Sequence, residues 1–543
     1  MALSRLDRRT FLLGTSGMTM MTSWPAWAVD TPNRTLIRSE ATGIEQLNYL
    51  KSVAPWSEDI YRDCLLPLFE LDHQLSLRPT AAVGYELGDD QTNYRVFLAD
   101  IVWSDGVRVT ADDYVIAMRA RAEWARIGKG EGLTQKTRSI AGLQAYIDGD
   151  LASVDDIGIR AIDAQTLEIQ IAKQDPEFPY AMSGLDFYPF PRHSPLDPMQ
   201  IWASAEGFLA NGPYVPVELK SFDYAVAERN QRYDTTDSIY FDKVIYKASS
   251  EGVNTEAGLV LNGEFDIYRI HDLDLVEWFR QNRPESLRTL VEPQVTYLNF
   301  NTKVPALSDR RIRQALVLAL DRQFIAQELA ASSYEVYTWT GGGNWIWAKD
   351  PEAGSAANFK YDPAKAQRIM EEVGYSSENP LRITLLYRDH RANESNIVAA
   401  IKAMWRPLGV DIKVVTNTTS DHYNAYIIPG NYDIALVSWV FDTPSLLDAF
   451  FPFTTQSRAG EGNYGGAGNA AVDEAFTKAR IENDATKRLA YLRQIELENR
   501  DNVWSVPITH QLDYYIVSEQ LQGFEDGRSV RPTSDQLWRK PPK

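Results

Sequence analysis

Short runs of alternating apolar and polar residues are interleaved along this chain with longer stretches of helical periodicity, a pattern that predicts a mixed α/β (α+β) architecture. Residues 35–39 and 167–172 read as strands. Thr110 and Asp113 have the spacing of a capping box, which predicts a helix from there to about Arg126. The turn Asn211-Gly212-Pro213-Tyr214 leads into a strand over 215–219 and a second over 224–228, with Asp223 in the connection, as in a hairpin. Ser308 is expected to cap one long helix over about 309–331, burying Ile312, Ala315, Leu316, Ala319, Leu320 and Ile325. Asp362-Pro363 opens another helix that ends at Gly374, with Pro at its first turn and Gly just past its end. Strands over 381–387 and 410–415 flank a helix over about 395–407, a strand–helix–strand unit. No repeat or low-complexity linker marks a domain boundary.

Composition adds scale. The 543 residues are 44% hydrophobic and 24% charged, an ordinary globular balance that sets aside disorder, collagen and coiled coil. At about 150 residues per domain the length allows two to four packed units. A net charge of −19 excludes nucleic acid and anionic membrane surfaces as partners, since both require a basic face. The single Cys64 rules out a disulfide framework. At the N-terminus, basic Arg5, Arg8 and Arg9, a weakly apolar run over 11–21 and then Ala26-Trp27-Ala28 predict an export signal cleaved near Ala28. Its segment Asp7-Arg8-Arg9-Thr10-Phe11-Leu12-Leu13 resembles a twin-arginine motif. Removing it takes away three Arg and one Asp, moving the net charge from −19 to −21. No later stretch approaches the roughly 18 unbroken apolar residues that span a bilayer. No Cys directly follows Ala28 and Cys64 lies far beyond the cleavage region, which argues against a lipid anchor, so the expected product is soluble and periplasmic.

Assembled chemistry is missing from the motif record. The six His, at 73, 193, 271, 390, 422 and 510, include no pair three to five apart, so no helical zinc site is expected. There is no Gly-x-Ser-x-Gly elbow, no phosphate loop and no dinucleotide fingerprint. Gly341-Gly342-Gly343-Asn344 reads as a flexible loop. Acids are too numerous for a glycosidase pair to be excluded by counting, and nothing points to one. The expectation is a protein without cofactor or metal that is not an enzyme; a secreted hydrolase is the alternative of another class.

Five blocks then carry a resemblance. They are Trp103-Ser104-Asp105-Gly106 through Val109-Thr110-Ala111-Asp112-Asp113; Asn211-Gly212-Pro213-Tyr214 with Glu228-Arg229-Asn230; Asn299-Phe300-Asn301-Thr302 with Asp309-Arg310-Arg311-Ile312-Arg313-Gln314-Ala315-Leu316; Tyr361-Asp362-Pro363-Ala364-Lys365-Ala366 with Gly374-Tyr375; and Ala471-Val472-Asp473-Glu474 with Lys487-Arg488. In this order and spacing the chain resembles the family 5 extracellular solute-binding proteins, the peptide and nickel receptors of ABC importers, and within them the oligopeptide receptors. The resemblance covers essentially the whole chain after the signal. It implies two lobes on a hinge with an extra domain inserted in the N-terminal lobe: lobe one over 29–64, 190–289 and 505–543, the inserted domain over 65–189, and lobe two over 290–504. It also implies a monomer that delivers a peptide-like solute to an inner-membrane permease with its ATPase subunits. Most blocks have structural readings as well; Trp103, beside a turn and a capped helix, reads as core.

A peptide brings an ammonium, a carboxylate and unpaired backbone groups, each of which needs a partner once dehydrated. In the oligopeptide receptors the Asp of a Trp-x-x-Asp segment meets the amine, and Trp439-Val440-Phe441-Asp442 matches it. Asp442 before Thr443-Pro444 also suits a turn cap. The family lays its ligand between extended main-chain segments; the matching stretches are Ser52-Val53-Ala54 and Ser438-Trp439-Val440, with Trp439 either walling a side-chain pocket or packing in the core. Arg388, His390 and Arg391 are candidates for the carboxylate or solvated loop charges. Trp339, Trp345 and Trp347, around the Gly cluster, either line the cleft or pack. Ile116 stands where the oligopeptide receptors carry a Tyr near the amine site. That departure leaves room for another cationic or amide-bearing ligand, and the alternative within the same receptor fold is a non-peptide solute: an opine, an oligosaccharide or a metal chelate.

Overall fold

Two long strands, Leu287–Phe300 and Ser505–Val517, pair antiparallel at the centre of a ten-stranded sheet. The computed structural model describes residues 34–40, 44–51, 58–72, 75–128, 133–248, 259, 261–270, 272–329, 339, 360–388, 392–417, 420–440, 445–457, 462–526 and 530–540. Across the sheet the order is Val410–Asn417, Leu381–Arg388, Ile434–Val440, then the two long strands, then Ile267–Ile270, Thr35–Glu40, Lys243–Ala248, Tyr224–Arg229 and Tyr214–Lys220. Residues 381–440 thus build one flank and residues 35–270 the other.

The central pair is interrupted where the flanks meet. Pairing runs from Leu287↔Ile516 to Val291↔Leu512 and resumes at Val295↔His510, so one strand carries extra residues in the gap. Pro293, which has no N–H to give a ladder, falls in it. Side chains on the two sides of the gap enter different cores. Leu290, Tyr515 and Val517 pack with Trp103 and Phe178. Leu298, Phe300, Val506 and Ile508 pack with Trp405, and Val295 and Tyr297 with Trp339 and Phe450. The result is two lobes joined by a pair of shared strands with a bulged midpoint, as the α/β two-lobed expectation requires.

A separate antiparallel sheet, in the order Ala82–Leu87, Asn93–Leu98, Thr166–Gln170 and Ile159–Asp163, carries the extra domain. Helix Ala111–Arg126 packs against it and begins in the expected capping box, with Asp113 Oδ2 accepting the Thr110 N–H at 2.8 Å. The same carboxylate accepts from Trp103 Nε1 at 3.2 Å, and Trp103 is fully buried, so this block braces the core. The Asn211 block does similar work. Asn211 Oδ1 accepts the Leu66 N–H at 3.0 Å, and a Cβ on Gly212 would come within 2.7 Å of the Cys64 carbonyl carbon. Cys64 itself is buried.

Local expectations hold in several places. The hairpin forms between Tyr214–Lys220 and Tyr224–Arg229. Asp362 caps Pro363–Glu372 by accepting the Lys365 N–H, and Gly374 turns at φ +90°. Strands Leu381–Arg388 and Val410–Asn417 lie side by side in parallel, joined by helix Ala392–Trp405. The long helix over 309–331 is a correction. Pro305–Ser308 is itself a helical turn, and the Ser308 hydroxyl is occupied by the Pro305 carbonyl. Asp309 caps Arg310–Leu318 instead. Asp321 then accepts the Phe324 N–H and restarts the chain as Arg322–Phe324 and the π-helical Ile325–Leu329. A second Asp cap competes with continuation of the ladder. The six predicted apolar residues are all buried even so. Among the described residues no helix is long and apolar enough to cross a membrane.

Candidate functional site

Strand Ile434–Val440 pairs with the hinge strand along its whole length, ending in Thr296↔Ser438, Val295↔Trp439 and Gln294↔Val440. The predicted ligand segment Ser438-Trp439-Val440 is therefore set at the bulge between the lobes. The hydroxyls of Thr296 and Ser438 lie 2.9 Å apart, within hydrogen-bond reach, and tie the two strands at this point. Along its other edge the strand meets Leu381–Arg388 only at Leu385↔Ile434 and Leu386↔Ala435. Beyond Ala435, among the described residues, no strand pairs with that edge. The Leu436 carbonyl there accepts from the Tyr423 hydroxyl at 3.3 Å; a strand edge without a partner strand is a template for an added one.

Side chains furnish this edge. Trp439 is half-buried and packs on the core that holds Tyr297 and Phe450. A Cβ on Gly462 would come within 2.7 Å of the Trp439 ring, and Gly462 has φ +102°, so only glycine leaves room for the indole here. Arg388 ends its strand half-buried; continuing the parallel register places it level with Val437, close to the open edge. Its charge is felt by Tyr423, whose phenol burial pushes up and Arg388 draws back. Below the bulge, His510 is buried with Nδ1 3.1 Å from the Gln294 carbonyl oxygen. Arg269 forms an ion pair with buried Asp513.

Of the residues singled out from sequence, Ser438, Trp439, Val440 and Arg388 are thus brought to one place. Val53, Ala54, Trp345, His390, Arg391 and Asp442 lie outside the described residues, as does the export segment. Trp339 belongs to the core. It is buried, its Nε1 donates to the Ala449 carbonyl at 2.8 Å, and its ring meets those of Tyr297 and Phe453 edge-on at 4.3 and 4.7 Å. Ile116 packs half-buried against the core that holds Trp103 and Phe178. Sequence reasoning missed Gly462, Gln294, His510 and the Arg269–Asp513 pair; for all but Gly462 the available signal was polar residues inside strands that otherwise read as apolar. A cavity of about 370 Å³ lined by Asn301, Val304, Ile428 and Tyr464 adjoins the far end of the hinge strand and takes no part in this arrangement.

This geometry can be set beside known proteins. The periplasmic murein peptide-binding protein MppA of Escherichia coli K12 is 25% identical over 520 residues, covering 92% of each chain. The probable deoxycholate-binding periplasmic protein YgiS of the same organism is 24% identical over 488 residues, covering 86% of this chain and 87% of its own. A solved structure of MppA, in its unliganded open form, superposes with a TM-score of 0.78 at 22% identity, covering 93% of this chain and 97% of that one. These relatives are binding proteins. The family model of the bacterial extracellular solute-binding proteins, family 5, matches residues 76–461, well over half of the sequence, and the chain belongs to that family.

Proposed function

We propose that this chain is the periplasmic receptor of an ABC importer and that it captures peptides between its lobes, the ligand lying as an added strand along residues 436–440. The observation that carries this reading is the strand edge left open at the lobe crossing. Main-chain pairing along such an edge binds any peptide sequence, and half-buried Trp439 supplies a wall for a side chain. The murein peptide named for MppA supports the same ligand class. Asp442 takes the ligand ammonium, Val53 and Ala54 offer backbone from lobe one, and Trp345 adds a second wall. Arg388, His390 and Arg391 receive the carboxylate. Lobe one spans 29–64, 190–289 and 505–543, the inserted domain 65–189 and lobe two 290–504. The mature monomer, freed of its signal near Ala28, passes its cargo to a permease with ATPase subunits.

Purified mature protein should gain thermal stability with di- to pentapeptides, by about 2.7 kcal/mol at a hundredfold excess over Kd. Asp442→Ala should weaken capture by about 1.5–3 kcal/mol, the net value of a charge-assisted contact. Absence of any shift across a peptide library would overturn the ligand class. A shift with deoxycholate instead would favour a non-peptide solute for the same receptor fold, a second reading that the YgiS likeness supports.

A further inference from the structure

Away from the hinge the two lobes meet a second time, through charge. Glu177 of the inserted domain is 4% exposed. Its Oε2 accepts from Ser445 Oγ at 2.6 Å and from the Leu447 N–H at 3.0 Å, and its Oε1 from Arg488 Nε at 3.2 Å. Beside it Lys136, also buried, donates to Asp175 Oδ2 at 2.8 Å and reaches Asp448 Oδ1 at 3.6 Å. Burial opposes the charge on Lys136, but Asp175, Asp448 and Glu177 hold its ammonium above the ordinary lysine range. Two amide contacts flank the cluster: Gln174 Nε2 donates to the Ile481 carbonyl at 3.3 Å, and Asn483 Nδ2 to Gln91 Oε1 at 3.1 Å. Leu75 adds an apolar contact.

The partners come from different bodies. Phe178, next to Glu177, packs in the core with Trp103, whereas Leu446, Leu447 and Ala449 pack in the core with Trp339. All three donors to the Glu177 carboxylate belong to lobe two. Arg488 is held ready on its own side, with Nη1 donating to the Glu482 carbonyl at 2.8 Å. Such a junction differs in kind from a welded apolar interface. When the bodies part, water can hydrate Glu177, Lys136, Arg488 and the Ser445 hydroxyl again, so much of what closure gains is returned on opening. An apolar seam of the same size would have no such substitute.

We propose that the junction of Glu177 and Lys136 with Ser445, Asp448 and Arg488 is a reversible polar clasp: it holds the inserted domain against lobe two around bound solute, and its strength sets how often the empty lobes part. This rests on the solute-receptor reading above. The clasp joins residues that pack in separate cores, and it does so with few apolar contacts. A ligand that bridges the lobes binds best to the clasped arrangement, so its apparent affinity scales with the population of that arrangement.

Spin labels at introduced cysteines test it, in full-length mature protein carrying Asp163→Cys and Lys413→Cys; both positions are exposed, and the native Cys64 is buried. Arg488→Ala should raise the long-distance population of the empty protein and weaken capture of a peptide pool by about tenfold. Glu177→Gln keeps the size and one acceptor oxygen of the side chain, and should shift both readouts in the same direction by less. Lys478→Ala, at an exposed ion pair within one helix of lobe two, should move neither. Unchanged distance distributions in both clasp variants, or unchanged or tighter peptide capture, would overturn the clasp. Should the unsubstituted protein bind no peptide, the receptor reading fails, while the distances in empty protein still decide whether these contacts hold the lobes together.

Discussion

Two buried ion networks of similar make-up sit in different mechanical positions. Inside lobe one, Arg38 Nη2 donates to Asp59 Oδ2 at 2.8 Å and Nη1 to Ser534 Oγ at 3.0 Å, Arg531 Nη1 reaches the same Asp59 oxygen at 3.2 Å, and Asp63 accepts the Ser534 N–H at 2.8 Å and the Tyr246 hydroxyl. It ties the first strand, helix Glu58–Cys64 and the C-terminal segment into one body. The Glu177 cluster uses the same chemistry between bodies. No lobe motion separates Arg38 from Asp59, so that network can act only on folding. On the clasp proposal, parting of the lobes separates Glu177 from Arg488, and the second network then acts on the conformational equilibrium. Similar contacts therefore carry different functions according to which rigid units they join.

The largest effect expected from this contrast is on folding. Arg38→Met leaves Asp59 and Asp63 buried beside a neutral side chain, and breaking a buried ion network in this way costs about 3–5 kcal/mol. Urea unfolding should show that loss, with label distances between the lobes unchanged. A change in interlobe distance would erase the distinction between the two networks. The pH dependence sharpens it. Burial raises the Asp59 carboxyl, but Arg38 and Arg531 outweigh burial and bring it down to about 2. A carboxyl held below its unfolded value of about 3.9 contributes stability that is complete above that value and is lost as pH falls through the folded one. The stability difference between the unsubstituted protein and Asp59→Asn should therefore be constant above about pH 5 and shrink towards pH 2. Asp63 is pushed the other way by burial, with Arg38 opposing, and contributes with opposite sign.

The same contrast explains what could be read from the amino-acid order. The capping box at Thr110 and Asp113, the Asp362-Pro363 helix start and the strand–helix–strand unit over 381–417 depend on neighbours a few residues apart, and each is visible as a local pattern. The helix expected over 309–331 failed locally too, because apolar spacing continues through Asp321 while its side chain caps a new turn. Long-range pairings have no such signature. Ser445 meets Glu177 across 268 residues, and Arg38 meets Ser534 across 496. Ser438 and Trp439 were legible through a short segment likeness. Gly462 was not, because its role exists only where the Trp439 ring comes to rest.

A third junction, weaker than either network, sits where the lobes are covalently joined. Thr296 and Ser438 meet through their hydroxyls at the hinge end of the open-edged strand. Thr296→Val keeps the branched shape and removes one hydroxyl. Because Ser438 is only half-buried, water can take the vacated position, so the loss should be about 0.5–1 kcal/mol, at the lower end for an intramolecular hydrogen bond. Backbone pairing continues on both sides of this contact, from Gln294↔Val440 to Phe300↔Ile434, and should hold the strand register without it. Peptide capture in Thr296→Val should then stay within about twofold of the unsubstituted protein, since a merely local loss leaves the edge in place. A loss of capture comparable to that of Arg488→Ala would mean that the hydroxyl pair, rather than the ladder, keeps the edge in position, and would make the hinge and the clasp equal partners in holding the ligand.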